Sequence, residues 1–134
     1  MVVAGLYDGN VVVYNLQKKT PNWSYSSNPK NGKHNDVVWS IKWVEDNYEG
    51  CLNFFSVAGD GRVTNWTIVK SMLKHEDVYN VTFSKKLDNM AEDISSSLPD
   101  SCQVIAFQPN DETTFLVGTD SGLVHLCTSL YRGR

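Results

Sequence analysis

The 134-residue chain is poor in cysteine, poor in proline and without a long apolar run. Its three cysteines, Cys51, Cys102 and Cys127, are odd in number and follow no metal-ligand spacing, so they read as reduced thiols of an intracellular protein and imply no disulfide framework. Positive charge is also in short supply. A formal net charge of −3 provides no field to attract nucleic acid or an acidic membrane surface. No stretch approaches the roughly 18 apolar residues of a membrane-spanning helix. The opening "MVVAGLYDGN" has no basic leader and reads as a strand running into a turn rather than a secretory signal. A glycine-rich phosphate loop, paired zinc ligands and a nucleophile elbow are all missing. His34, His75 and His125 are dispersed: His75, in "KHED", reads as part of a solvated turn, and His125 as a packed or exposed strand residue. Neither an enzyme nor a cofactor or metal site is expected, and no small-molecule substrate.

Helical periodicity is absent too, and short strand-like segments take its place. Residues 10–16, 37–43, 52–58, 62–68, 102–107, 114–119 and 123–127 are rich in β-branched and aromatic side chains and bounded by Gly, Pro, Asn or Asp. In 37–43 the alternate residues Val37, Trp39, Ile41 and Trp43 are apolar, which predicts one buried face. Residues 78–83 are a further, more exposed candidate. The chain is expected to be all-β. Two polar stretches, 17–33 and 85–101, read as long surface loops. The first carries four lysines and no acid, and Trp23 and Tyr25 with Lys18 and Lys19 make it the better candidate for partner contacts.

Internal repetition organises these pieces. Residues 1–15, 54–67 and 114–127 share one design: an apolar strand, a tight turn of Asp-Gly or Asp-Ser-Gly, and a second apolar strand. The turns hold Asp8 and Gly9, Asp60 and Gly61, and Asp120 and Gly122. Gly accepts positive φ and Asp can bond the turn backbone, so each is a strong hairpin signal. Counting on from each glycine reaches a bulky residue expected to point inward: Tyr14, Trp66 and, one place short, Leu126. Repeat units are expected at approximately 1–16, 34–83 and 102–127.

The middle unit, "GKH" followed by "DVVWSIKW", "NFFSVAGDG" and "RVTNWT", resembles a WD-repeat. That family has a Gly-His pair, an Asp in a tight turn and a Trp-Asp dipeptide; here Lys33 splits the first and Thr67 replaces the Asp of the last. In WD-repeats the His, a strand hydroxyl, the turn Asp and the Trp form a hydrogen-bonded structural network, and the resemblance assigns those roles to His34, Ser56, Asp60 and Trp66. The first and third units place Tyr14 and Leu126 in the Trp slot, and Asn15 and Cys127 in the Asp slot. A buried indole N–H needs an acceptor, and an imidazole held by a carboxylate is oriented and satisfied. A catalytic reading of Ser56, His34 and Asp60 would need an exposed nucleophile and an oxyanion pocket, whereas Ser56 sits in an apolar strand. Three units are too few for a ring of typically four to eight blades. The expected fold is therefore a partial WD-repeat β-propeller, about three blades of a larger ring, self-associating through open edges when isolated.

The wording of three blocks narrows the likeness. "GLYDGNVVVYNL", "GKHNDVVWSIKW" with "LNFFSVAGDGRVTNWTIVK", and "FLVGTDSGLVHLC" resemble the WD-repeat domain of dynein intermediate chains, the axonemal outer-arm type in particular. The resemblance implies a non-catalytic scaffold subunit of a motor complex in the cytoplasm and cytoskeleton, within the axoneme of cilia or flagella. Its implied partners are the dynein heavy chain, through the tail, and other dynein subunits; light chains are implied to bind a separate N-terminal region. The alternative is a generic WD-repeat interaction module, such as a peptide or phosphopeptide reader, for which Lys18, Lys19, Lys30 and Lys33 are the available cations.

Overall fold

A computed structural model describes residues 1–44, 51–70, 72–86 and 95–128. The architecture is all-β, in antiparallel sheets that follow one another along the chain as partial blades of a WD-type propeller. The first sheet is β1 (Val2–Gly5), β2 (Val11–Tyr14) and β3 (Tyr25–Ser26). The middle sheet is a four-stranded meander of β4 (Val38–Val44), β5 (Asn53–Ala58), β6 (Arg62–Val69) and β7 (Met72–Asn80). A hairpin of β8 (Thr82–Lys86) and β9 (Ser95–Pro99) follows, and then the third sheet, β10 (Cys102–Gln108), β11 (Asp111–Thr119) and β12 (Val124–Thr128).

One turn design sets the register of all three sheets. Gly9, Gly61 and Gly122 donate to the carbonyls of Leu6, Ala58 and Thr119, each at 3.2 Å. At Gly61 φ is +81°, and a Cβ there would lie 2.8 Å from the Val81 carbonyl oxygen, so both conformation and space demand glycine. Because the turns match, equivalent residues pair across each hairpin: Val2 with Tyr14, Phe54 with Trp66, and Phe115 with Cys127. This corrects the expected third unit. The residue facing inward there is Cys127, buried, while Leu126 is 73% exposed on the opposite face. Thr128, not Cys127, then occupies the place of Thr67.

Two cores lie on either side of the middle sheet. Phe54, Trp66, Val38, Ile68 and Leu73 pack with Val11 and Val13 of the first sheet. Phe55, Val57, Val63 and Val78 pack with Ile105, Phe115, Val117, Cys102 and Cys127 of the third. Successive residues Phe54 and Phe55 thus serve opposite cores, which is why β5 reads as a nearly continuous apolar run rather than an alternation.

Other expectations need correction. The run 17–33 is not wholly loop, since Tyr25–Ser26 forms β3 against β2. The run 85–101 likewise contains strand: Thr82–Lys86 pairs with Ser95–Pro99, and residues 87–94 lie outside the described residues. A polar composition speaks to burial, whereas the ladder is made by backbone groups that every residue carries. The strand expected over 78–83 is interrupted at the buried Val81, with β7 before it and β8 after. His75 stands on β7 rather than in a turn. Finally, Trp39 is exposed because a bulge between Val38 and Ser40 makes it the extra residue and gives the buried place to Val38. Ile41 and Trp43 keep the core face, Trp43 partly exposed with its ring 5.1 Å from that of Phe54.

The far face of the third sheet presents Val104, Leu116, Val124 and Leu126 to solvent. Contiguous apolar surface of this kind promotes association. The isolated chain is expected to self-associate in sedimentation velocity, and Val124→Thr with Leu126→Gln to shift it toward monomer; a monodisperse unmodified chain would contradict this.

Candidate functional site

The four residues that the WD resemblance singles out come together in the middle sheet. Ser56 on β5 and Trp66 on β6 project into the core shared with the first sheet; Asp60 sits in the β5–β6 turn and His34 on the segment entering β4. His34, Ser56 and Trp66 are each 0% exposed. Trp66 Nε1 donates to Ser56 Oγ at 2.8 Å, and Ser56 Oγ lies 2.7 Å from His34 Nε2. His34 Nδ1 is 3.2 Å from both carboxylate oxygens of Asp60. One assignment satisfies every group: the Nδ1–H donates to the carboxylate, and Nε2 accepts the serine proton.

Asp60 does more than hold the imidazole. Its oxygens accept from the backbone N–H of Asn35 at 2.9 Å and of Arg62 at 3.0 Å, tying the turn to the strand-entering segment. Burial raises its pKa, but hydrogen bonds from His34 and from the backbone N–H groups of Asn35 and Arg62 outweigh that and bring it below the ordinary value. Arg62 extends the set outward. It donates to the carbonyls of Lys33 at 3.0 Å and Gly32 at 3.2 Å, and to Asp77 of β7 at 2.9 Å. Thr64 donates to the same Asp77 oxygen at 3.0 Å. Burial raises the pKa of Asp77 as well, and the Arg62 hydrogen bond and charge reverse it to a net lowering.

The third sheet holds a second cluster that sequence reasoning missed. Asp100, buried just before β10, accepts from Ser121 Oγ at 2.6 Å, and His125 Nε2 lies 3.8 Å away. The polarity is reversed: here the entering segment supplies the acid and the turn supplies the hydroxyl. The signal was positional, since both Asp100 and His34 lie a few residues ahead of the first strand of their sheet. Asp120, exposed, donates only its backbone N–H, to Ser101. In the first sheet Asp8 bonds locally, to the backbone and side chain of Asn10.

The Asp60–His34–Ser56 order matches that of a hydrolytic triad, yet the chemistry is closed off. Ser56 is sealed in the core, and its oxygen already accepts the Trp66 N–H. Two of the three thiols are quenched as well: burial, with the Asp100 charge, pushes Cys102 up to about 12, and burial alone pushes Cys127 to about 11. Among the described residues no group of His, Cys, Asp or Glu is placed to hold a metal ion. Of the proposed contact residues, Trp23 and Tyr25 meet Met72 and Leu73 in a groove between β3 and β7, while Lys18 and Lys19 are exposed on the turn after β2.

No protein-family model matches the chain. It is 38% identical over 131 residues to dynein axonemal intermediate chain 1 of Mus musculus, covering 98% of this chain and 19% of that protein. It is 36% identical over 135 residues to dynein intermediate chain 2, ciliary, of Heliocidaris crassispina, and 32% identical over 134 residues to the 78 kDa intermediate chain of the flagellar outer arm of Chlamydomonas reinhardtii. These alignments also cover 98% of this chain, with 19% and 20% of the relatives. The chain is thus homologous to axonemal dynein intermediate chains, outer-arm types included, and spans about a fifth of their length.

Ser56→Ala removes the shared acceptor and leaves the Trp66 N–H unpaired in the core, so it is expected to cost about 1–3 kcal/mol of unfolding free energy in denaturant titration. Asp60, Asp77 and Asp100 all have folded-state pKa values below 3.8. Their stabilisation is present above that ordinary value and disappears as pH falls through the lowered ones. Thermal melts of the unmodified chain should therefore lose stability steeply below about pH 4, and Asp60→Asn should flatten that slope.

Proposed function

We propose that this chain is the WD-repeat portion of a non-catalytic intermediate-chain subunit of an axonemal dynein, and that its propeller docks on the tail of a dynein heavy chain in cilia or flagella. The observation that carries the reading is the homology to axonemal and flagellar outer-arm intermediate chains along 98% of the chain. The internal chemistry is in keeping with a scaffold. His34 and Ser56 of the candidate triad are sealed from solvent and two thiols are held protonated, so the polar groups brace strands instead of reacting. In this reading His34, Ser56, Asp60 and Trp66 hold the middle blade in register, and Gly9, Gly61 and Gly122 close the turns at the blade ends. A rigid blade array keeps loops and faces in fixed positions for a partner, which lowers the ordering cost of binding.

The protein should co-purify with dynein heavy chain from extracts of ciliary or flagellar axonemes. Asp60→Ala should lower that recovery in proportion to the loss of folded protein. Recovery of the well-folded protein free of any dynein would remove the assignment.

A further inference from the structure

The groove between β3 and β7 has features that blade architecture does not require. Its volume is about 360 Å3, and its walls include Trp23, Tyr25, Asn28, Asn31, Met72 and Leu73. Trp23 and Met72 are 54% and 57% exposed. Large apolar side chains placed together at a concave site are the usual anchors of protein interfaces. The walls are also tied in place. Tyr25 Oη donates to the Lys70 carbonyl at 3.0 Å, and Asn31 Nδ2 to the Leu73 carbonyl at 2.9 Å. His75 Nδ1 meets Asn31 Oδ1 at 2.9 Å. The groove is therefore preformed, and a ligand would not have to order it.

Charge singles out the same place. No Asp or Glu is among the residues that line the groove, and exposed lysines adjoin those residues along the chain. Lys18, Lys19, Lys30 and Lys70 are exposed. Lys30 falls between Asn28 and Asn31, and Lys70 just ahead of Met72. An aromatic-lined groove flanked by Lys30 and Lys70 thus sits on a chain whose net charge is −3. Lys74 is not part of it, since it lies with Asn65, Thr67 and Glu76 at a separate depression.

We propose that this groove binds an acidic protein segment carrying a large aliphatic or aromatic anchor, with the anchor against Trp23 and Met72 and the carboxylates facing the lysines. Protein is favoured over nucleic acid for two reasons. The cations are all lysine, without the arginine forks that suit phosphate, and the rest of the chain is acidic enough to repel a continuous polyanion. The inference is independent of which complex the chain joins.

The test uses the purified protein and fluorescence anisotropy with a short labelled peptide alternating Glu with Leu and Phe. Three further probes accompany it: the same peptide with Lys for Glu, the same with Ser for Leu and Phe, and oligo-uridine. The expected result is saturable, salt-sensitive binding of the first probe only. Trp23→Ala should weaken it about tenfold. Lys30→Glu with Lys70→Glu should weaken it by a similar factor and reduce its salt dependence. Trp23, Lys30 and Lys70 are exposed, so unchanged thermal melts should accompany both losses. Absence of binding, equal binding of the Ser-containing peptide, tighter binding of oligo-uridine, or binding indifferent to Trp23→Ala would each overturn the proposal.

Discussion

The Ser56 hydroxyl is the junction on which the middle sheet depends. It accepts from the Trp66 indole and meets His34 Nε2, so one buried oxygen joins two strands to the segment that enters the sheet. Trp66 provides the bulk of the core shared with the first sheet, stacking on Phe54 with ring centroids 6.1 Å apart and packing against His75 at 5.7 Å. An indole so deep in apolar surroundings is tolerable only with its N–H paired. The serine satisfies it, the histidine satisfies the serine, and Asp60 satisfies the histidine while bonding two backbone N–H groups. Core packing and turn geometry are thereby locked to each other.

The neighbouring sheets keep this register but not this chemistry, and the substitutions are coupled. Counting from the turn glycines, Cys127 takes the place of Trp66 and Val117 that of Ser56, both buried. With no indole there is no N–H to satisfy, and the hydroxyl disappears with it. In the first sheet Tyr14 and Ala4 occupy those places, and no relay is required there either. What persists is the need to attach each turn to a strand-entering segment. His34 N donates to Gly9 O and Val81 N to Gly61 O, while Asp100 reaches Ser121. The repeat conserves a backbone problem and solves its polar part differently each time.

This explains what could be read in the sequence. The hairpins at Gly9, Gly61 and Gly122 were legible because a local backbone demand leaves a local residue signature. The His34–Ser56–Asp60–Trp66 set was legible because all four residue types are present at one repeat's spacing. The bulge at Trp39 was not, since alternation alone cannot show where the partner strand skips a residue. Nor was Asp100, which in "LPDS" reads as one more loop acid until Ser121 folds against it. Arg62 and Asp77 escaped for the same reason: their meaning lies in a pairing across strands. Leu126 was misplaced by one residue, and in a strand one residue reverses the face.

A chain braced in this way presents fixed surfaces, which is what the proposed role in an axonemal dynein calls for. The bracing itself can be examined most directly through the Trp66 indole proton. In hydrogen-exchange NMR, a proton donated to Ser56 inside the core should exchange only with global unfolding, far more slowly than that of the exposed Trp23. Exchange at Trp66 as fast as at Trp23 would contradict a buried relay and, with it, the stacking of the sheets around that relay.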